Sequence, residues 1–209
     1  MSFDPPVIAE AVLAVEVGGF VIPDSAIAVG GVATIVVLLV LSAFFSSSEI
    51  AMFSLAPHRV EKLVNEGVSG AKTLAHLKND PHRLLVTILV GNNLVNIAMS
   101  SIATGLLAMY FSQGIAVAGA TFGITAVVLL FGESAPKSYA VENTESWALR
   151  ISRPLSFAER LLIPLVVLFD YLTRAVNKVT GGRSAIETSY VTRQEIRDII
   201  ETGEREGVL

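Results

Sequence analysis

The sequence GGVATIVVLLVLSAFF, residues 30–45, contains no charged residue and decides the class of fold. It lies inside a longer, mostly apolar run from Ala28 to Phe53. A helix needs about 20 predominantly apolar residues to cross the hydrocarbon core of a bilayer. The run therefore predicts a membrane-spanning helix near the start of the chain.

Two further stretches have the length and composition of membrane spans. They run from Leu84 to Phe111 and from Gln113 to Phe131. The join between them is too short for anything but a tight turn, so these two helices should be antiparallel neighbours. The sequence thus predicts an all-α membrane protein whose three transmembrane helices lie within residues 28–137.

The composition supports a membrane protein and limits the kinds of metal ligand that the chain can offer. Charged residues make up 16% of the chain, whereas soluble domains contain about 25%, and the mean hydropathy is +0.63. Both values favour the lipid bilayer as the surroundings of the chain. The absence of cysteine excludes disulfides and thiolate metal sites, which leaves oxygen atoms as the main metal ligands. The net charge of −4 argues against nucleic acid as a partner.

The positive charges predict the orientation of the spans. All 15 lysine and arginine residues lie at Arg59 or later. Five of them fall in residues 54–83, between the first two spans, and the turn before Gln113 has none. Because Lys and Arg favour the cytoplasmic side, residues 54–83 should be cytoplasmic. We therefore expect a multi-pass protein of the plasma membrane with an outside N-terminus, an external lead-in at residues 1–27, and a cytoplasmic C-terminus.

Residues 138–209 should lie on the cytoplasmic side. Residues 138–180 are predicted to form juxtamembrane amphipathic helices, because the run LLIPLVVLF is short for a span and arginines flank it. Pro154 and Pro164 should divide this segment into short helices. A fourth, kinked span is the alternative. Residues 181–209 are interpreted as a linker and the start of a truncated cytoplasmic helical domain, whose first helix opens on the capping-box pattern TRQE.

Polar side chains inside the spans carry the functional signal, because they are unfavourable in a bilayer. Ser42 and Ser46 are four residues apart and share one face of the first helix. Asn92 and Asn96 share a face of the second helix in the same way. The rise of a helix places both pairs near the middle of the membrane. Serines and asparagines at such positions also serve as contacts between helices, which is the alternative interpretation.

The third span adds a carboxylate and an unusual backbone. Pro136 has no N–H for the carbonyl of Gly132, so this carbonyl is expected to be free at a break in the helix. Glu133 lies beside it. Freed carbonyls at broken helices coordinate cations in transporters. Alternatively, Glu133 reaches water or pairs with Lys137. The hydroxyl, amide, carboxylate and carbonyl oxygens together suit Mg²⁺, Ca²⁺, Mn²⁺ or Na⁺.

Three motifs in these spans resemble a known family. They are SAFFSSSEIAMFSL at residues 42–55, VGNNLVNIAMSSIAT at 90–104 and FGESAPKSYAV at 131–141. In order and spacing they are similar to the membrane domain of the CorC/cyclin M (CNNM) family, and so is the downstream sequence SRPL at 152–155.

The resemblance implies a homodimer whose subunits each have three spans and a belt of juxtamembrane helices. It implies transport of Mg²⁺, mainly export, coupled to Na⁺ entry. Ser47 stands where relatives commonly have glycine, which affects the expected local helix geometry. The metal ligands that the resemblance implies are Ser42, Ser46, Asn92, Asn93, Asn96, Gly132 and Glu133.

The family usually continues into a helical bundle and a pair of nucleotide-binding CBS modules. Regulation by ATP is therefore expected to depend on parts outside this chain. The alternative function is a Mg²⁺-binding sensor or regulatory subunit that does not itself transport. An enzyme is not expected, because no nucleophile–base pair falls within a span.

Overall fold

Helices make up most of the protein. The computed structural model describes the backbone of residues 15–17 and 20–180 and the side chains of residues 23–169, 171 and 172. The predicted linker and the predicted further domain at 181–209 lie outside the described residues. The elements in chain order are β1 (Val15–Val17), β2 (Phe20–Ile22), α1 (Asp24–Ser54), α2 (Pro57–Asn65), α3 (Ala71–Lys78), α4 (Pro81–Ala108), α5 (Gln113–Val127), a π-helical segment (Val128–Ser134), α6 (Ala135–Glu142) and α7 (Thr144–Thr180).

Three helices in the described part of the chain are long and apolar enough to cross a membrane. They are α1, α4 and the continuous run Gln113–Glu142. This confirms the prediction of a helical, three-span membrane protein. The strands β1 and β2 form a small antiparallel hairpin in the lead-in, with Val15 opposite Ile22. The hairpin precedes α1 in the chain.

The third membrane helix does not break at Pro136, and this expectation was wrong. Before the proline, the chain widens into the π-helical segment, in which a backbone N–H reaches back five residues. The N–H of Ala135 accordingly donates to the carbonyl of Leu130. Pro136 then falls in the first turn of α6. A missing N–H disrupts no hydrogen bond at that position, so the helix continues.

Helices α1 and α4 approach closely because a glycine makes room for an aromatic ring. A Cβ atom at Gly91 would lie 2.5 Å from the ring of Phe45. Phe45 is buried, and its ring meets that of Phe44 edge to face with centroids 5.3 Å apart. In lipid, such close packing is a main source of helix association, because the surrounding tails are as apolar as the interface. Large exposed apolar side chains cover the outward faces of the spans, among them Val36, Val37, Val40, Phe122, Leu129 and Leu130.

The segment between α1 and α4 forms two short helices, α2 and α3, and the loop between them contains Gly67 and Gly70. Both glycines have positive φ, 72° and 89°, a conformation that side chains rarely adopt. Asp80 then caps α4 by accepting a hydrogen bond of 3.0 Å from the backbone N–H of Arg83.

Helix α7 is a single helix, so the prediction that its prolines divide it was wrong. Pro154 and Pro164 both lie inside it and are exposed. The carbonyls that they leave without a donor belong to Arg150 and Arg160, four residues earlier. These two residues are also exposed, so their carbonyls can reach polar surroundings. One stripe of α7 is buried against the other helices: Ala148, Ile151, Ser152, Leu155, Ser156, Leu162 and Val166.

Two ion pairs fasten α7 to the rest of the chain. Glu145 accepts a hydrogen bond of 2.5 Å from Arg59 of α2, and this partner raises the pKa of Arg59. Glu159 lies 2.6 Å from Arg83 at the start of α4. We call α2, α3 and α7 together the α7 layer. It lies at one end of the spans, the end that the positive charges predict to be cytoplasmic.

A lysine ties the α7 layer to the end of the first span. The ammonium group of Lys78 donates to the carbonyl of Met52 at 2.6 Å and also to that of Leu55. These carbonyls belong to the last turns of α1, where a cation is favoured by the helix dipole. Burial lowers the pKa of Lys78. The contact fixes α3 beneath α1.

We predict that Gly91→Ala destabilises the protein by about 1–3 kcal/mol, the usual effect of overpacking a filled interface. The added methyl group would press on the buried ring of Phe45. Gly105→Ala is the matched control, because it makes the same change on the same helix and a Cβ there has nothing within 4 Å. Thermal unfolding in detergent, followed by circular dichroism, should give a lower melting temperature for Gly91→Ala only. Equal melting temperatures for the two variants would contradict the packing described for α1 and α4.

Candidate cation-binding site

A buried serine on α1 is the meeting point of the three membrane helices. The side chain of Ser42 is fully buried. Its Oγ lies 2.9 Å from Oδ1 of Asn96 and 3.2 Å from Oδ1 of Asn92, both on α4. On the other side, a Cβ atom at Gly132 would lie 2.8 Å from the same Oγ. Four of the residues predicted for the site, from three helices, therefore come together here.

The hydrogen bonding around Ser42 is incomplete. A serine hydroxyl has one hydrogen atom, so it can donate to only one of the two asparagine oxygens at a time. The remaining oxygen then faces the hydroxyl lone pair to lone pair. Rotation of one amide, so that its NH₂ donates to Ser42, would remove this repulsion. A cation bound among the three oxygens would remove it as well.

Ser46 provides a second buried hydroxyl, one turn further along α1. Its side chain is 1% exposed. Within the described residues its Oγ has no hydrogen-bond partner. A buried polar atom without a partner is unfavourable by about 1–3 kcal/mol, so this position calls for a ligand or another explanation.

The two serines that follow Ser46 differ from it. Ser47 donates to the carbonyl of Ala43 at 2.7 Å, and Ser48 donates to that of Phe44 at 2.6 Å. Such bonds within the helix satisfy a buried hydroxyl locally. Of the consecutive serines 46–48, only Ser46 thus keeps its hydroxyl available, although all three are buried.

The π-helical segment carries Gly132 and Glu133 toward the other helices. Gly132 is buried beside Ser42, whereas Glu133 is half-buried. The ammonium of Lys137 lies 3.1 Å from the carboxylate of Glu49 on α1, and Glu133 has no ion-pair partner among the described residues. The alternative that Lys137 neutralises Glu133 is therefore not what the structure has. Coordination by the Gly132 carbonyl stays a prediction.

One predicted residue lies apart from the others. Asn93 is on the exposed side of α4, and no hydrogen bond joins it to the described residues around Ser42. Its neighbours Asn92 and Asn96 are half-buried and contact Ser42. This follows from the helical repeat, because adjacent residues of a helix point in directions about 100° apart. A role for Asn93 in binding stays a prediction.

The sequence reasoning missed Thr87. This residue is fully buried in α4, and its hydroxyl has no partner within the described residues. It lies one turn before Gly91, on the side of α4 that packs against α1. A hydroxyl inside a predicted span was visible in the sequence, but a single threonine commonly bonds to its own helix. Only the structure shows that Thr87 leaves its hydroxyl unused.

The surroundings of the site favour a hard cation. Its atoms are hydroxyl and amide oxygens with one carboxylate nearby, and no group of three His, Asp or Glu side chains that could hold a metal occurs in the described part of the chain. Oxygen ligands of low total charge suit Mg²⁺, Ca²⁺ and Na⁺ better than Zn²⁺ or copper. Binding of such a cation at this site stays a prediction.

Comparison with known proteins identifies the family. Residues 33–209 match the model of the cyclin M transmembrane N-terminal domain. A UPF0053 protein of Haemophilus influenzae is 36% identical over 172 residues, which cover 81% of this chain and 40% of the relative. The UPF0053 inner membrane protein YfjD of Escherichia coli is 35% identical over 162 residues, 77% of this chain and 37% of the relative.

A more distant relative, the polyamine export protein of Haemophilus influenzae, is 26% identical over 187 residues, 84% of this chain and 43% of that protein. The chain thus spans about two fifths of the length of the curated relatives that it matches. The three apolar helices and the inner-membrane relative agree on a multi-pass membrane protein. The resemblance seen in the three motifs is confirmed, and the chain belongs to the CorC/cyclin M (CNNM) family as its transmembrane domain.

Proposed function

We propose that this chain is the membrane part of a Mg²⁺ transporter and that it binds the ion at the Ser42 cluster. By this cluster we mean the following residues: Ser42, Ser46, Asn92, Asn96, Gly132 and Glu133. The observation that carries the proposal is the pair of buried hydroxyls, one facing two amide oxygens and the other without a partner. A small hard cation would satisfy both.

The charge of the cluster suits transport. Mg²⁺ sheds its water reluctantly and prefers octahedral oxygen coordination at about 2.0–2.1 Å. Neutral hydroxyl and amide oxygens can replace some of that water without holding the ion too tightly to leave. Glu133 is the carboxylate of the cluster itself, and the neighbouring carboxylate of Glu49 is already paired with Lys137. Because the ion is small, a preorganised cluster of this kind should fit the larger Ca²⁺ poorly.

Oxygen-bearing side chains continue from the cluster toward the α7 layer. On α1, Glu49 follows Ser46 by three residues, which is less than one turn. Its carboxylate is held by Lys137 from the third membrane helix, four residues after Glu133. We propose that an ion leaving or entering the cluster on this side passes Glu49 and competes with the ammonium of Lys137.

The direction of transport is also part of the proposal. If the α7 layer is cytoplasmic, as the positive charges predict, Mg²⁺ would reach the cluster from the cytoplasm by this route. Export of Mg²⁺ against Na⁺ entry, in a homodimer, agrees with what the family resemblance implies. Na⁺ would compete for the carboxylate and hydroxyl oxygens.

A polyamine is the second candidate cargo, because one relative is named a polyamine export protein. Polyamines are elongated cations that carry several charges. The Ser42 cluster has one nearby carboxylate, which favours the smaller ion. Flux measured with Mg²⁺ and with putrescine on the same protein separates the two cargoes, and transport of putrescine alone would overturn the Mg²⁺ proposal.

Ser46→Ala should weaken Mg²⁺ binding by about tenfold, or about 1.4 kcal/mol, because it removes an available oxygen. Isothermal titration in detergent measures the affinity. Ser48→Ala is the matched control, because it removes a neighbouring buried hydroxyl that already bonds to its own helix. The affinity of the control should stay within about twofold of the unchanged protein. An equal loss in both variants would argue against a specific ligand at Ser46.

Gly132→Ala should reduce Mg²⁺ flux into or out of liposomes by about tenfold or more, since the methyl group would lie against the Ser42 hydroxyl and fill the cluster. Gly123→Ala makes the same change on the same membrane helix, where a Cβ has nothing within 4 Å. Its flux should be unchanged. Full flux from a folded Gly132→Ala protein would remove Gly132 from the site.

Glu133→Gln should lower Mg²⁺ flux by about tenfold or more, because the cluster then lacks its carboxylate. Glu142→Gln, an exposed position at the end of the same helix, is the control.

Coupling to Na⁺ is tested on the unchanged protein. Its Mg²⁺ flux should rise when a Na⁺ gradient drives Na⁺ across the membrane in the direction opposite to Mg²⁺. If the Na⁺ gradient does not change the Mg²⁺ flux, coupling is contradicted. If Glu133→Gln leaves the flux unchanged, Glu133 is not part of the site. Mg²⁺ binding without any flux would instead support a sensor.

A further inference from the structure

An open surface cavity of about 330 Å³ lies in the α7 layer, and none of its lining residues belongs to the Ser42 cluster. It forms where the loop before α3 meets the first half of α7. Its size is at the lower end of the range for small-molecule sites. The lining residues are Ser69, Gly70, Leu149, Arg150 and Arg153.

The two arginines of this cavity have no acidic partner among the residues whose side chains the structure describes. Elsewhere in the layer, arginines are neutralised by carboxylates of α7: Arg59 by Glu145 and Arg83 by Glu159. Among the described residues, neither Arg150 nor Arg153 forms such a pair. No carboxylate of the described residues lines the cavity either. Within the described part of the chain, two positive charges three residues apart on one helix therefore lie at one cavity without a counterion.

The loop holds the cavity wall in place. Gly70 has a φ of 89° and packs so closely that a Cβ would lie 2.8 Å from the carbonyl oxygen of Leu149. The hydroxyl of Ser152 lies between the carbonyl of Leu149 at 2.9 Å and that of Gly70 at 3.3 Å, and it can donate to either. Nη2 of Arg153 lies 3.3 Å from Oγ of Ser69, so this guanidinium is directed across the cavity toward the loop.

We propose that this cavity binds a phosphate group. A guanidinium carries a permanent charge, and its planar donors match phosphate oxygens in pairs, so two unpaired arginines in one cavity are well suited to this ligand. The hydroxyl of Ser69 offers a further donor. The first turn of α3, which has no acidic residue and no side-chain cap, adds weakly to the positive potential.

Two sources of phosphate fit the position of the cavity. The layer contacts the start of α4 through Arg83 and Glu159, so it lies next to the membrane spans. Basic pockets beside membrane helices bind the headgroups of anionic lipids. A soluble phosphate compound offers the same chemistry from the aqueous side. The inference does not depend on Mg²⁺ transport, because none of its residues belongs to the Ser42 cluster.

The test compares an Arg150→Gln/Arg153→Gln protein with Arg160→Gln. The control removes an exposed arginine of the same helix that lies outside the cavity. Melting temperature is measured in neutral detergent with inorganic pyrophosphate at constant ionic strength. It is also measured in nanodiscs of phosphatidylcholine with and without phosphatidylglycerol. Pyrophosphate or phosphatidylglycerol should raise the melting temperature of the unchanged protein and of Arg160→Gln. The double variant should bind the same ligand more weakly, by about tenfold at least.

The pyrophosphate and lipid measurements together identify the source of the phosphate group. Stabilisation by phosphatidylglycerol alone assigns a lipid headgroup, and stabilisation by pyrophosphate assigns a soluble phosphate. If neither ligand stabilises the unchanged protein, or if the double variant responds as strongly as Arg160→Gln, the proposal is overturned. Should the double variant fail to fold, Arg150→Gln alone replaces it, because the side chain of Arg150 is exposed and forms no ion pair among the described residues.

Discussion

The hydroxyl of Ser42 lies between two asparagine oxygens of α4 and the backbone of Gly132, in a part of the chain that lipid surrounds. Polar atoms in such surroundings must find partners inside the protein, because no water is available. The three spans are therefore held at a common point by groups that satisfy one another only in part. The hydrogen bond that Ser42 makes to α4 holds these helices together, and the asparagine oxygen that it leaves without a donor is the feature on which the proposed cation site rests.

Much of this arrangement could be predicted because it depends on local properties of the chain. The length and apolar composition of the spans predict three membrane helices. The spacing of four residues between Ser42 and Ser46, and between Asn92 and Asn96, predicts a polar face on each of two helices. A glycine at 132 beside a glutamate marks where the third helix takes part. These features do not depend on how the side chains pack, and the structure brings most of them together.

The remaining features depend on contacts that a sequence does not display. Ser46 and Ser48 are the same residue two positions apart, yet only the packing around them decides which hydroxyl turns to its own helix. The prolines of α7 suggested breaks, but their freed carbonyls lie on the exposed side, where polar surroundings can satisfy them. The proline of the third span is accommodated by a π-helical turn, which redistributes hydrogen bonds over a whole segment rather than at one residue.

The contact between Lys78 of α3 and the end of α1 has a mechanical consequence. Because the Lys78 ammonium holds carbonyls of the final turns of α1, those turns cannot unwind unless a half-buried cation loses its acceptors. Any tilt of α1 would then move α3 with it. The third span is held to α1 by a different contact, the ion pair of 3.1 Å between Lys137 and Glu49, so a movement of α1 would reach this span as well.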